Sequence, residues 1–115
     1  MIDVTCQNVW LAPGATDMRG SIDSLATKAR YVIKQDPLGN HLFVFCKRGR
    51  DRLKILFWDG NGFWLLYKRL EKGRFRWPQM TTSVCISRRQ LTWLLHGLEV
   101  EQRTALKLVQ AKIAA

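Results

Sequence analysis

A hairpin pattern in the middle of the chain constrains the fold more than any other feature. Asp59-Gly60-Asn61-Gly62 consists of residue types that favour tight turns. It separates two runs, Arg52–Trp58 and Phe63–Leu70, that are rich in aromatic and branched side chains. Such runs on both sides of a tight turn predict two antiparallel strands.

Side chains alternate across a strand, so each of these runs has an apolar face and a second face. In the first run the second face mixes cations with an aromatic ring; in the next it holds Trp64, Leu66 and Lys68. In the first run one face consists of Leu53, Ile55 and Phe57, and the other face consists of Arg52, Lys54, Leu56 and Trp58. In the second run Phe63, Leu65 and Tyr67 form the face opposite Trp64, Leu66 and Lys68.

Three more segments predict strands. Asn8–Ala12 is ended by Pro13-Gly14, His41–Lys47 is apolar enough for a central strand, and the short basic run Arg74–Trp77 is ended by Pro78. With the hairpin, these segments predict an antiparallel sheet.

Helices are predicted at both ends of the chain. Apolar residues recur at helical spacing from Met18 to Ile33, and Thr16 or Asp17 precedes them as an N-cap. Ser87 and Gln90 match a capping box before a second helix, which His96-Gly97 would end. A further helix is predicted over Glu99–Ile113.

We therefore expect an α+β fold with an antiparallel sheet of four to five strands, in the order β-α-β-β-β-β-α. The N-terminal helix packs on the sheet, and one or two helices follow at the C-terminal end. Residues 1–98 would form a single domain and residues 99–115 a helical extension; 115 residues suffice for one modest core.

Positive charge is concentrated in the centre of the sequence. The net charge is +10, and the stretch from Lys47 to Arg76 holds ten basic and only three acidic residues, hence seven of those ten charges. Such clustering favours a polyanionic partner. The candidate nucleic-acid-binding residues are Lys47, Arg48, Arg50, Arg52, Lys54, Lys68, Arg69, Lys72, Arg74 and Arg76.

Aromatic side chains alternate with these cations. Trp58, Trp64, Phe75 and Trp77 are candidates for stacking on bases or for a protein interface, because rings stack on unpaired bases while guanidinium groups bind phosphate. An ordinary sheet explains the pattern equally well, because aromatic residues favour strands and cations protect exposed edges.

Two further cations, Arg88 and Arg89, follow the second helix cap directly. Cations in a first helical turn oppose the helix dipole, and a bound phosphate would reverse that penalty. The alternative is that both side chains simply extend into solvent.

Catalysis, metals and cofactors are not expected. Two-metal phosphoryl transfer needs converging carboxylates, and the nine acidic residues are scattered or occupy turns and caps. The three cysteines and two histidines lack metal-ligand spacing, which fits reduced thiols and no zinc. No signal peptide or membrane segment is visible, so we expect a cytoplasmic protein without a membrane partner or small-molecule substrate.

Specific strings then point to a family. They are Val9-Trp10-Leu11, Gly14 to Arg19, Ser21 to Leu25, Leu42 to Phe45, Arg50 to Leu56, Trp58 to Phe63, Tyr67 to Phe75 and Trp77-Pro78. Their order closely resembles the TnpB accessory proteins, the second-open-reading-frame products, of the sixty-six family of bacterial insertion sequences. The resemblance runs from about Val9 to Leu98.

The resemblance implies a bacterial protein that helps an insertion sequence to move, beside a separate and larger transposase that carries the catalytic carboxylates. No catalytic residue carries over to this chain. Thr16, Asp17, Met18 and Arg19 match a family motif of unknown role.

Three hypotheses follow. The first is a DNA-binding accessory protein, the second is an adaptor that docks the transposase without touching DNA, and the third is an RNA chaperone. The DNA sequence, its strandedness and any homo-oligomer stay open at this point.

Overall fold

Five strands form one mixed sheet in the computed structural model, which describes residues 8–101. The strands are β1 (Asn8–Leu11), β2 (His41–Cys46), β3 (Arg52–Trp58), β4 (Phe63–Arg69) and β5 (Val84–Ile86). They lie in the order β4-β3-β2-β1-β5. The predicted α+β class is confirmed, and the five strands fall within the predicted four to five.

One pair of neighbours, β1 and β2, runs parallel, and the other three pairs are antiparallel. The prediction of a wholly antiparallel sheet was wrong at this point. A parallel pair needs a long crossover connection, and the helical segment between Leu11 and His41 provides it.

The first helix, α1 (Ile22–Lys28), starts later than predicted. Ser21 is its N-cap and accepts a hydrogen bond from the Ser24 amide at 3.3 Å. The helix continues as a π-helical turn over Ala29–Ile33 and ends at Lys34. Neither Thr16 nor Asp17 caps it, because the Thr16 hydroxyl accepts from Lys28 Nζ and the Asp17 carboxylate binds Arg19.

The core has two layers, one on each face of the sheet. On one face, apolar side chains of α1 and the π-turn pack against Phe43, Phe45 and Leu56. On the other face, Leu91 and Leu94 of α2 (Arg88–Leu95) join side chains from all strands except β4. This explains why β2 is buried from Leu42 to Cys46 without alternation.

The segment Arg74–Trp77 is not a strand, contrary to the prediction. It is an irregular segment whose alternation has another cause: Phe75 and Trp77 are buried in the core while Arg74 and Arg76 are exposed. The last strand is β5 instead, which pairs with β1.

At the C-terminal end, the capping box of Ser87 and Gln90 is confirmed, and α2 ends before His96. Glu99–Glu101 are not helical. Val100 packs against the core, and its carbonyl accepts a hydrogen bond from Gln90 Nε2 at 3.2 Å. The rest of the predicted second C-terminal helix lies outside the described residues. Within residues 8–101, no helix is long and apolar enough to cross a membrane.

Candidate nucleic-acid interface

Two backbone hydrogen bonds join the β2–β3 loop to the segment that follows β4. The Leu70 amide donates to the Asp51 carbonyl at 2.8 Å, and the Phe75 amide donates to the Arg50 carbonyl at 2.6 Å. The two most basic stretches of the sequence therefore lie side by side, although thirteen residues separate Lys54 from Lys68 along the chain.

A groove of about 920 Å³ opens between these stretches, and His96 and Gly97, directly after α2, line one side of it. Five cations line it: Arg48, Arg50, Lys72, Arg74 and Arg76. No carboxylate is among its lining residues, which otherwise are Gly49, Leu70, Gly73, Phe75, His96 and Gly97. In the described part of the chain none of the five cations forms an ion pair.

We call this groove the basic groove. Among its lining residues, Arg50 has an unusual backbone conformation. Its φ is 62°, in the left-handed region that side chains with a Cβ avoid. Two hydrogen bonds stabilise this conformation. The Arg50 amide donates to the Lys47 carbonyl, and the Arg50 carbonyl accepts from the Phe75 amide. Arg50 also lines the two hollows beside the basic groove.

These neighbouring hollows set the limits of the cationic surface. A hollow of about 250 Å³ adds Lys47 and reaches Gly14-Ala15 and Pro78. On the other side, a hollow of about 380 Å³ contains Glu99 and Glu101. The positive surface therefore extends from the basic groove towards Lys47 and ends at the two glutamates.

Two of the predicted site lysines are bound inside the protein. Lys54 Nζ donates to the carbonyls of Met18 and Gly20 and lies 5.8 Å from the centre of the Tyr67 ring. Lys68 Nζ donates to the Leu95 carbonyl at 2.7 Å, at the negative end of α2. Both ammonium groups hold elements together and do not line the basic groove.

The remaining predicted cations also lie outside the basic groove. Arg52 is half-buried, with no hydrogen-bond partner for its Nε within the described residues. Arg69 is exposed and pairs with Glu71 at 2.9 Å, which raises the pKa of the guanidinium. Arg88 and Arg89 begin α2, whereas His96 at its other end lines the basic groove.

The four aromatic candidates fall into two groups. Phe75 and Trp77 are 1% and 6% exposed, so the prediction that they stack on bases or anchor a partner was wrong; both are core residues. Trp58 is half-buried against Phe63. Trp64 is exposed, stacks on Phe57 and donates its indole N–H to Asp59 at 2.7 Å.

The motif from Thr16 to Arg19 connects the crossover to the sheet. The Thr16 amide donates to the Cys46 carbonyl, and its buried hydroxyl accepts from Lys28 Nζ at 2.9 Å. Burial lowers the pKa of Lys28. Asp17 and Arg19 form an exposed pair at 2.8 Å, and hydrogen bonds from Arg19 lower the pKa of Asp17 to about 2.

Two further groups have shifted pKa values outside the basic groove. Burial raises the pKa of the Cys46 thiol to about 11, as expected for a core cysteine. Hydrogen bonds from the Asn61 amide and the Trp64 indole lower the pKa of Asp59. The same hydrogen bonds stabilise the β3–β4 turn. Among residues 8–101 no three His, Cys, Asp or Glu side chains are grouped to hold a metal ion.

Sequence reasoning missed His96 and the three glycines of the basic groove. Gly73 and Gly97 have positive φ values of 77° and 79°, so each forms a turn that other residues rarely adopt. The Gly73 turn was predicted from Glu71-Lys72-Gly73, but its position beside the β2–β3 loop depends on a long-range contact. No local signal could have placed them together.

Within residues 8–101, the fold and the basic groove define a small α+β protein with a concentrated cationic surface. The family described as "IS66 Orf2 like protein" matches residues 7–105. The chain belongs to this family, which confirms the resemblance, and membership implies an accessory role in an insertion sequence.

Two relatives of this chain occur in one bacterium. The uncharacterized protein y4hO of Sinorhizobium fredii (strain NBRC 101917 / NGR234) is 45% identical over 92 residues, which cover 79% of this chain and 80% of the relative. The uncharacterized protein y4jC of the same strain is 29% identical over 92 residues, 79% of each chain. No solved structure matches the chain.

Proposed function

We propose that this chain is a non-catalytic accessory protein for transposition of a bacterial insertion sequence, and that it binds DNA phosphates in the basic groove. The observation that carries the proposal is the convergence of five cations, from two distant stretches, on a groove without a lining carboxylate. Guanidinium groups match phosphate oxygens in pairs, and four of the five cations are arginines.

The proposal moves the DNA contact away from the sheet surface. The mixed face of β3 carries Lys54 and Leu56, and the π-turn and α1 pack on this side of the sheet. The five cations of the basic groove, which form no ion pair within residues 8–101, stand instead at the end of the sheet, where the β2–β3 loop meets Lys72–Arg76. A surface of this kind reads the DNA backbone and positions the protein on it.

Salt dependence tests the electrostatic part of the proposal. Binding to a duplex from the element end is titrated by fluorescence anisotropy at several salt concentrations, with a scrambled duplex beside it. Each phosphate contact adds about 0.9 to the slope of log affinity against log salt, so we expect a steep decline. Absence of binding, or an affinity unchanged from low to physiological salt, would contradict DNA contact.

Two variants of equal charge test the position of the contact. Arg74→Gln with Arg76→Gln removes two basic-groove cations and should reduce the salt slope by about two and the affinity about tenfold or more. Arg88→Gln with Arg89→Gln removes the same charge at the far end of α2 and should retain the slope. Equal losses in both variants would show that total charge, and not the basic groove, determines binding.

The competing adaptor function predicts a different result. If the protein docks the transposase without DNA, it should co-purify with the transposase from nuclease-treated lysate and show no salt-dependent duplex binding. Competition by single-stranded RNA tests the RNA-chaperone function. If that function is correct, RNA at equal concentration should displace the element-end duplex from the protein.

A further inference from the structure

The outer side of β4 is an unpaired sheet edge. Within residues 8–101 this strand has a neighbour on one side only, β3. The Asp59 amide donates to the Gly62 carbonyl, and the Leu70 amide donates to the Asp51 carbonyl. Antiparallel ladders alternate hydrogen-bonded and non-hydrogen-bonded pairs, so the backbone groups of Phe63, Leu65, Tyr67 and Arg69 point away from β3.

This edge is unusually apolar for an exposed strand. Trp64 and Leu66 are each 42% exposed, and Tyr67 is 51% exposed. Cations normally protect such an edge against pairing. Here Lys68 Nζ is bound to the Leu95 carbonyl and Arg69 is paired with Glu71, so both cations are already engaged within the protein.

We propose that a second copy of this chain pairs with β4 in antiparallel orientation, with the two Leu66 residues facing each other on a twofold axis. Leu66 is the midpoint of the seven-residue strand, so this register pairs every residue of β4. It also pairs outward-pointing backbone groups with each other: Leu65 with Tyr67 of the second copy, and Phe63 with Arg69 of the second copy. A shift in either direction would leave strand ends unpaired.

The distribution of charge favours this register over one centred on Lys68. Arg69 lies opposite Phe63 and Lys68 lies opposite Trp64, so within β4 no cation faces a cation of the second copy. Like charges directly opposite each other would destabilise the pairing. A register centred on Lys68 would place two ammonium groups together.

Complementary charge variants test the twofold axis directly. The full-length chain, freed of nucleic acid by nuclease and high salt, is measured by sedimentation over a range of concentrations. Wild type should sediment as a dimer of 13.4 kDa chains. Leu66→Lys and Leu66→Glu should each be monomeric, because each places like charges at the axis, and an equal mixture should form a heterodimer.

Leu38→Lys is the matched control. Leu38 is 49% exposed but lies in the loop before β2, so this variant should remain dimeric. A monomeric wild type, a dimer that persists in both single Leu66 variants, or a mixture that stays monomeric would overturn the proposal. A monomeric wild type would leave this edge to a strand from another protein.

Cross-linking keeps the proposal testable if the charged variants fail to fold. Facing residues of a non-hydrogen-bonded pair have Cα atoms about 4.5 Å apart, which a disulfide can span. In a chain with Cys6→Ser and Cys85→Ser, Leu66→Cys should form a covalent dimer on mild oxidation. Tyr67→Cys, one position from the axis, should not; equal cross-linking of both would overturn the register.

Discussion

Two residues other than glycine, Lys34 and Arg50, have left-handed backbone conformations in the described part of the chain. Lys34 ends the π-turn, a position where glycine is common. Arg50 has no such conventional role; it places an exposed guanidinium in the basic groove while its carbonyl accepts from Phe75. The strain at Arg50 is therefore connected with the site, and that at Lys34 with the end of a helix.

Substitution by glycine separates these two roles. Arg50→Gly and Lys34→Gly both relieve a conformation that costs an L-residue about 1–2 kcal/mol, offset in part by the greater freedom of unfolded glycine. We expect each variant to unfold in urea at the wild-type midpoint or slightly above it. Only Arg50→Gly should weaken DNA binding, with the salt slope reduced by about one; equal weakening by Lys34→Gly would contradict the assignment.

The Asp17–Arg19 pair makes stability sensitive to acid. The pKa of Asp17 is about 2 in the folded protein, below its usual 3.8. A lowered pKa stabilises the fold above pH 3.8, and that contribution is lost as the pH falls towards about 2. Asp17→Asn should therefore unfold with a shallower pH dependence between pH 4 and pH 2, by circular dichroism.

The pair is exposed, so its effect should be small and should disappear in 1 M salt. Asp23, which is also exposed and stands in the first turn of α1, offers the control. Asp23→Asn should retain the acid dependence of the wild type; a loss equal to that of Asp17→Asn would contradict the role given to the pair.

Among the elements, the irregular segment after β4 combines core and site. Phe75 and Trp77 anchor it beneath the sheet, and Arg74 and Arg76 alternate with them into the basic groove and its surroundings. The anchor determines where the cations stand. Stability and the proposed DNA contact are therefore coupled in this segment.

Phe75→Ala should lower the free energy of unfolding by about 3–5 kcal/mol, because it leaves a cavity in the core. Trp64→Ala removes a larger ring from an exposed position and should cost much less. Urea denaturation measures both. A small loss for Phe75→Ala would contradict the role of this ring as a core anchor.

Elements with local signals could be predicted from the sequence, and elements fixed by distant contacts could not. The β3–β4 hairpin and the Ser87 capping box depend on residues close together in the chain, and both were predicted. The parallel pairing of β1 with β2 and the burial of Phe75 depend on tertiary packing. Alternation alone does not distinguish a strand from an extended segment with one buried side.

The candidate site followed the same rule. The concentration of charge from Lys47 to Arg76 predicted the region of the basic groove, but it could not separate lining cations from structural ones. Lys54 and Lys68 bond to carbonyls that are more than twenty residues away in sequence. Only the three-dimensional arrangement shows that these two ammonium groups are engaged.

For the whole molecule, the decisive feature is the interior position of β1 in the sheet, between β2 and the edge strand β5. Its neighbours are β2 on one side and β5 on the other, and β5 precedes the helix that covers the second core layer. A chain that ends after Ser83 lacks both β5 and α2, and we expect it to have no cooperative unfolding transition. A chain that ends after Glu101 should keep one, because it retains Val100 against the core.

The place of β1 also has a consequence during protein synthesis. More than seventy residues separate Leu11 from Val84, so at about 5–20 residues per second a translating ribosome needs roughly 4–14 s to deliver the second neighbour. Until β5 and α2 have been synthesised, β1 lacks its second neighbour, and the face of the sheet that α2 covers stays exposed. We expect the nascent chain to depend on ribosome-associated chaperones during this interval. Messages truncated before β5 should yield a protein that does not fold and is degraded.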